Sequence, residues 1–177
     1  MNFAWVKGAA LLAGLAVTLA ACGRTEAPPA NAEEAAKEAK AFLDKNARAE
    51  GIQTLPSGLQ YKVVASGPAG GPSPDGNDLV RVDYEGTLTD GTVFDSSFQR
   101  GAPAVFSPEG VVPGWTEALQ RMKVGDEWLL YVPPELGYGE DGAPPMIPGN
   151  AVLVFRIKLL DMAEVPGGSR GVGQAAV

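Results

Sequence analysis

Between Leu59 and Val63 apolar side chains alternate with Gln60 and Lys62, the period-two pattern of a strand with one buried face. The alternation returns at greater length further on. Val80, Val82, Tyr84, Gly86 and Leu88 point one way, and Arg81, Asp83, Glu85 and Thr87 the other. Asp90-Gly91 then predicts a tight hairpin, because a two-residue primed turn needs positive φ at both positions and these residues tolerate it. Thr92-Val93-Phe94 starts the return strand. Glu127 to Val132 and Val152 to Leu160 supply two more strands, the second with Leu153, Phe155, Ile157 and Leu159 inward and Arg156 and Lys158 outward. The period turns helical once within this region: Trp115, Ala118, Leu119 and Met122 share a face after Pro113-Gly114, and Lys123-Val124-Gly125-Asp126 ends the helix. The pattern predicts an α+β domain, an antiparallel sheet with one short amphipathic helix packed across it.

A different organisation precedes this domain. Lys7 is followed by an apolar run from Gly8 to Ala21, short for a membrane-spanning helix and suited to the core of a secretory signal. Leu19-Ala20-Ala21-Cys22 resembles a bacterial lipoprotein processing box, which implies lipidation of Cys22 and anchoring to a bilayer through its acyl chains. Gly23 in place of an aspartate leans towards the outer membrane, facing the periplasm. The expected division is a signal over 1–21, a flexible tether over 22–31, a helical segment over 32–50, the sheet domain over 51–162 and a disordered tail over 163–177. In the helical segment Ala35, Ala39, Phe42 and Leu43 fall on one narrow stripe, which suits packing on the domain or a weak dimer contact. The segment is short, and a monomer is expected.

The chain has 14 Lys and Arg against 21 Asp and Glu, a formal net charge of −7, which argues against a nucleic-acid groove. With no histidine and one cysteine, a His-assisted nucleophile, a thiol protease and a zinc site with nitrogen or sulfur ligands are excluded. Asp90, Asp95, Glu109 and Asp141 lack the spacing of a calcium loop, so no metal and no cofactor is expected. What remains is apolar. Tyr84, Phe94, Phe106, Val111, Val112, Trp115, Tyr138, Met146, Ile147 and Phe155 lie near strand ends and loops, where each either fills the core or lines a hollow. Tyr138, between glycines in Leu136-Gly-Tyr-Gly139, has little packing reason to be there and carries a hydroxyl that can meet a ligand carbonyl. Asp95 reads either as a turn cap for Ser96-Ser97 or as a carboxylate in an apolar hollow, tolerated there by Arg100.

Five stretches carry a family resemblance: Thr54 to Tyr61, Val82 to Ser97, Gly110 to Glu117, Leu136 to Gly139 and Pro148 to Leu160. In this order they resemble the FKBP-type peptidyl-prolyl cis-trans isomerases, above all the secreted bacterial members of the macrophage-infectivity-potentiator and FkpA kind. The resemblance implies a strongly curved sheet wrapped on the short helix. It also implies a pocket in which Tyr84, Phe94, Asp95, Val112, Trp115, Tyr138 and Phe155 act on a proline peptide, with Trp115 as floor, Tyr138 as a hydrogen-bonding phenol and the Val112 N–H as a second donor. Arg100, Phe106, Val111, Met146 and Ile147 would complete the binding surface. Ala104 stands where many members have an aromatic residue and Ala143 where a loop histidine is common. Both changes are expected to soften the rim and to reduce affinity for macrocyclic inhibitors. The implied activity is rotation of X-Pro bonds in folding envelope proteins, with an apolar residue favoured before proline. The alternative is a lipid-anchored chaperone that holds unfolded chains in the same pocket with little or no isomerisation.

Overall fold

The structure is a computed structural model that describes residues 30–167. The signal segment and Cys22 lie outside the described residues, with nearly all of the tether and the end of the tail. In chain order the elements are α1 (Ala30–Asn46), β1 (Gln53–Thr54), β2 (Gln60–Ala65), β3 (Leu79–Leu88), β4 (Val93–Ser96), α2 (Ser97–Arg100), β5 (Ala104–Phe106), α3 (Pro113–Leu119), β6 (Glu127–Val132) and β7 (Leu153–Ala163). The strands form one antiparallel sheet in the order β1-β2-β6-β7-β3-β4, and β5 also pairs with β3. The sheet is open. Long β3 runs beside β7 on one side and divides its other edge, giving Val80–Val82 to β5 and Glu85–Thr87 to β4.

The alternation becomes a two-faced sheet. Val80, Val82 and Tyr84 of β3, Trp128, Leu130 and Val132 of β6, and Leu153, Phe155, Ile157 and Leu159 of β7 are all buried. Against them lie Trp115, Ala118 and Leu119 of α3, with Met122 just beyond its end. Burying these side chains contributes on the order of 1.5–3 kcal/mol each, which gives this face the largest share of the fold's stability. The helix comes close because Gly114 has no side chain: a Cβ there would sit 2.7 Å from Val132 Cγ1.

Several details differ from the sequence reading. The hairpin has a three-residue loop, Thr89 to Gly91, in which the Gly91 N–H donates to Leu88 O and the Leu88 N–H to Thr92 O. Of the two residues expected at positive φ only Gly91 adopts it, at 88°, so this is a type I turn followed by a glycine bulge. A second, single-turn helix, α2, separates β4 from β5, where one helix was expected in the domain. Gln60, expected on a solvated face, is buried.

That burial has a direct cause. α1 lies on the outer face of the sheet, with Phe42 6.1 Å from the Tyr131 ring and Ala39 buried. The Gln60 side chain donates to Leu43 O at 3.0 Å and accepts from Asn46 Nδ2 at 2.9 Å, which removes the cost of taking its amide out of water. The stripe of α1 therefore packs on its own domain. The helix begins at Ala30, inside the stretch expected as tether, and Ala163, expected in the tail, ends β7. Beyond β7, the Val165 N–H donates to Asp78 Oδ1 at 3.0 Å, and Asn77 Nδ2 donates to Val165 O at 3.1 Å.

Candidate functional site: an aromatic cavity between the sheet and the helix

The divided edge of β3 creates the site. Asp95 on β4 stands opposite Gly86 on β3, and directly afterwards the chain leaves the sheet as α2. Ser96 caps α2 by accepting from the Gln99 N–H, while Gly101, at φ 71°, ends it. The hydroxyl of Ser97 accepts from the Tyr84 N–H at 2.9 Å and so takes over the ladder position that the strand gives up. Because Ser96 supplies the cap, Asp95 is left for another role.

That role is a three-membered cluster. Arg100, returned by α2, donates through Nη1 to Asp95 Oδ1 and through Nη2 to the Tyr84 hydroxyl at 2.8 Å. The Tyr84 hydroxyl in turn donates to Asp95 Oδ2. The guanidinium also lies 5.3 Å from the Tyr84 ring centre. Burial pushes the Asp95 carboxyl up. The hydrogen bonds from Tyr84 and Arg100, with the Arg100 charge, outweigh that effect and leave it below the ordinary carboxylate range. Tyr84 is pushed above the ordinary phenol range, by burial first and by its bond to Asp95 second.

These shifts have opposite signs in their pH consequences. A depressed carboxyl contributes stability above its unfolded pKa and loses it as pH falls through the folded value; a raised phenol contributes below its unfolded pKa and loses it as pH rises through the folded value. The cluster is thus intact everywhere between. Any activity of this cavity is expected to be level from roughly pH 5 to 9, and a bell-shaped rate profile inside that range would contradict a site without acid–base chemistry.

The floor is aromatic. Pro113 opens α3 and Val112 caps it, accepting from the Trp115 N–H at 2.9 Å and the Thr116 N–H at 3.1 Å, which sets Trp115 at the top of the helix. Its ring meets Tyr84 at 5.1 Å, Phe106 at 5.7 Å and Phe155 at 5.1 Å between centroids, each nearly perpendicular, and Phe94 meets Phe155 at 5.5 Å. Edge-to-face contacts of this kind hold a ring in one orientation as well as stabilising it. Thr116 Oγ1 donates to Pro108 O at 2.6 Å and ties the preceding loop, with Val111 and Val112, to the helix.

The cavity has a volume of about 630 Å³. Tyr84, Phe94, Asp95, Phe106, Val111, Val112, Trp115, Tyr138, Met146, Ile147 and Phe155 all line it, with Gly110 and Ala143. Arg100 does not line it and bonds to Tyr84 and Asp95, which do. Ala104 does not reach the cavity: it pairs with Val82 in β5 and packs on the core, on the same strand face as Phe106, which does line it. Several hydrogen-bonding groups of the lining residues remain open, the buried Trp115 Nε1 among them. The Tyr138 hydroxyl, on a half-exposed side chain, and the Val112 N–H have no hydrogen-bond partner among the described residues.

One residue the sequence reading treated only as inward-facing proves decisive for shape. A Cβ on Gly86 would lie 2.6 Å from Phe94 Cε2 and 2.8 Å from Phe155 Cε1, so the two rings occupy the space a side chain would take. A lone glycine inside an otherwise Val, Val, Tyr face is the signal for such close approach. Chemically the arrangement offers an aromatic floor, free hydrogen-bonding groups on Tyr138 and Val112 and a carboxylate already neutralised, and, among the described residues, no nucleophile with a base beside it.

Residues 71–160, just over half of the chain, match the FKBP-type peptidyl-prolyl cis-trans isomerase family. The chain belongs to that family. Residues 15–63 match the domain amino terminal to FKBP-type peptidyl-prolyl isomerases, a stretch that takes in α1, β1 and the start of β2. The chain is 50% identical over 129 residues to the peptidyl-prolyl cis-trans isomerase Mip of Coxiella burnetii, covering 73% of this chain and 55% of that one. It is 47% identical over 133 residues to the outer membrane protein MIP of Legionella longbeachae, covering 75% and 56%. The crystal structure of FkpA from Escherichia coli superposes with a TM-score of 0.72 at 43% identity, over 77% of this chain and 62% of that one. The chain spans about half the length of the curated relatives it matches.

Proposed function

We propose that this FKBP-family chain is a peptidyl-prolyl cis-trans isomerase that lowers the barrier to X-Pro rotation by binding the twisted amide in the Trp115 cavity. The observation that carries the reading is a floor of perpendicular aromatic rings whose one carboxylate is neutralised by Tyr84 and Arg100. An X-Pro amide resists rotation because resonance keeps it planar, with a barrier of roughly 20 kcal/mol. The twisted form has lost that resonance and much of its carbonyl polarity. A dry, apolar surface favours it over either planar isomer, which is preferential binding of the transition state without a covalent step. A preference of about 5.5 kcal/mol corresponds to roughly a 10⁴-fold acceleration.

In this reading Trp115, Tyr84, Phe94 and Phe155 enclose the proline, and Tyr138 and the Val112 N–H hold the neighbouring carbonyls. Asp95 acts through its field and hydrogen bonds, while Arg100 fixes its position. Phe106, Val111, Met146 and Ile147 receive the residue before proline, so Leu-Pro and Phe-Pro peptides turn over faster than Glu-Pro or Lys-Pro. Macrocyclic inhibitors occupy the same cavity, with affinity reduced by the small Ala143 in its wall. Tyr138→Phe is expected to lower kcat/KM about five-fold, the worth of one net hydrogen bond, with little loss of stability because the side chain is half-exposed.

The clients are proline-containing envelope proteins in the course of folding. Cys22, acylated, holds the domain at the outer membrane on its periplasmic side, in keeping with the Legionella longbeachae relative named an outer membrane protein. The stripe of α1 is occupied by its own domain, which supports a monomer. A protease-coupled assay with a Leu-Pro peptide tests the activity. Turnover that Tyr138→Phe reduces supports it, whereas no turnover by a folded chain that still suppresses client aggregation establishes a holding chaperone instead.

A further inference from the structure

The two ends of α1 are tied to the domain by different bonds. Near its C-terminal end Asn46 and Leu43 hold Gln60 of β2, and near its N-terminal end Ala32 O accepts from Asn150 Nδ2 at 3.1 Å. Asn150 belongs to the loop that leads into β7. Its backbone N–H donates to Gly139 O at 2.9 Å and so closes the segment 139–150 at its base. Among the described residues it is the one non-glycine residue at positive φ, 58°, a conformation asparagine adopts at small cost.

The closed segment carries the outer wall of the cavity: Ala143, Met146 and Ile147 lie within it and Tyr138 directly before it. It is folded tightly on itself. Ala143 and Ile147 exchange two backbone hydrogen bonds, at 2.8 and 3.0 Å. A Cβ on Gly149 would lie 1.9 Å from Glu140 O, and one on Gly142 2.4 Å from Ile147 O. A segment this compact shifts as a unit, and its position depends on what holds the base.

The helix and the base of the loop do not pack continuously. A hollow of about 370 Å³ separates them, with Ala35, Ala39 and Phe42 on one side and Pro148 and Gly149 on the other, and the Asn150 carboxamide joins the two sides. We propose that α1 braces the outer wall of the cavity and that Asn150 is the positioning residue through which it does so. The N-terminal module thereby sets the geometry of Tyr138 and Ile147 without touching the bound peptide. The effect on turnover rests on the isomerase reading above; the effect on the loop does not.

The test uses the full chain with Asn150→Gly, which keeps the left-handed backbone and removes the carboxamide, and Asn150→Asp, which keeps the shape and removes the donor. Each is expected to speed amide hydrogen exchange at Ala143 and Ile147 about five-fold, the worth of one net hydrogen bond. KM for a Leu-Pro peptide should rise by a similar factor with kcat changed less. Ala39→Glu, which lifts α1 by burying a charge beneath it, should reproduce both changes with Asn150 intact, and combining it with Asn150→Gly should add nothing further. Wild-type exchange in both Asn150 variants would overturn the proposal. So would an Ala39→Glu chain with wild-type loop exchange, because Asn150 would then act within the loop alone. A wild-type chain without turnover would remove the isomerase reading, and the exchange rates would still decide the brace.

Discussion

Trp115→Ala is expected to cost about 3–5 kcal/mol of stability and to abolish turnover, because one side chain serves both core and floor. The indole is 3% exposed and is held by the rings of Tyr84, Phe106 and Phe155. Removing it opens a void between α3 and the sheet and, on the proposed isomerase reading, leaves the proline without a surface to lie on. Trp115→Leu separates the two roles. It fills most of the volume and should remain folded, with a smaller shift in the urea midpoint, yet lose the flat face that the twisted amide needs. Its kcat/KM should fall at least ten-fold, a transition-state loss of about 1.4 kcal/mol or more. A folded Trp115→Leu chain with wild-type turnover would show that the floor has no catalytic part.

Gly86→Ala is expected to damage function more than fold. A methyl group there meets Phe94 at 2.6 Å and Phe155 at 2.8 Å, and both rings line the cavity. Overpacking of this kind costs about 1–3 kcal/mol. The rings relieve the overlap by turning into the cavity, since β3 is pinned between β7 and β4 and cannot retreat. Peptide affinity should therefore drop about ten-fold or more for a stability loss at the lower end of that range. Titration with a non-hydrolysed proline peptide, alongside thermal unfolding, measures both. Equal and small losses in each would mean that the rings find room elsewhere.

Much of the site could be read from the residues because strand alternation fixes direction. Once Val82 and Tyr84 face inward, Phe155 and Ile157 on the neighbouring strand must face the same space, and the helical spacing of Trp115, Ala118 and Leu119 turns the indole to meet them. Arg100 was legible as the partner of Asp95, but the means was not. After Asp95 the chain leaves β4 and turns as α2, which ends at Arg100, and the order of caps, with Ser96 on Gln99 and Ser97 on Tyr84, depends on β4 giving up its ladder to β3 there. Local pattern does not encode that vacancy. The placing of β5 was equally hidden: three residues are too few to show a period, and only the pairing with β3 sets Ala104 beside Val82 and on the same face as Phe106. The burial of Gln60 is not legible in its own strand because α1 supplies it, and the alanine stripe of that helix says nothing about where it docks.

Proline rotation itself is the central claim, and exchange spectroscopy on a Leu-Pro peptide observes it without a coupling protease. With a sub-stoichiometric amount of the chain, cross-peaks between the cis and trans resonances should grow in at a rate proportional to added protein, saturate with peptide and stay level from roughly pH 5 to 9. They should weaken with Trp115→Leu. Resonances that shift on binding while cis and trans interconvert at the uncatalysed rate would contradict the account, since the cavity would then hold proline without turning it.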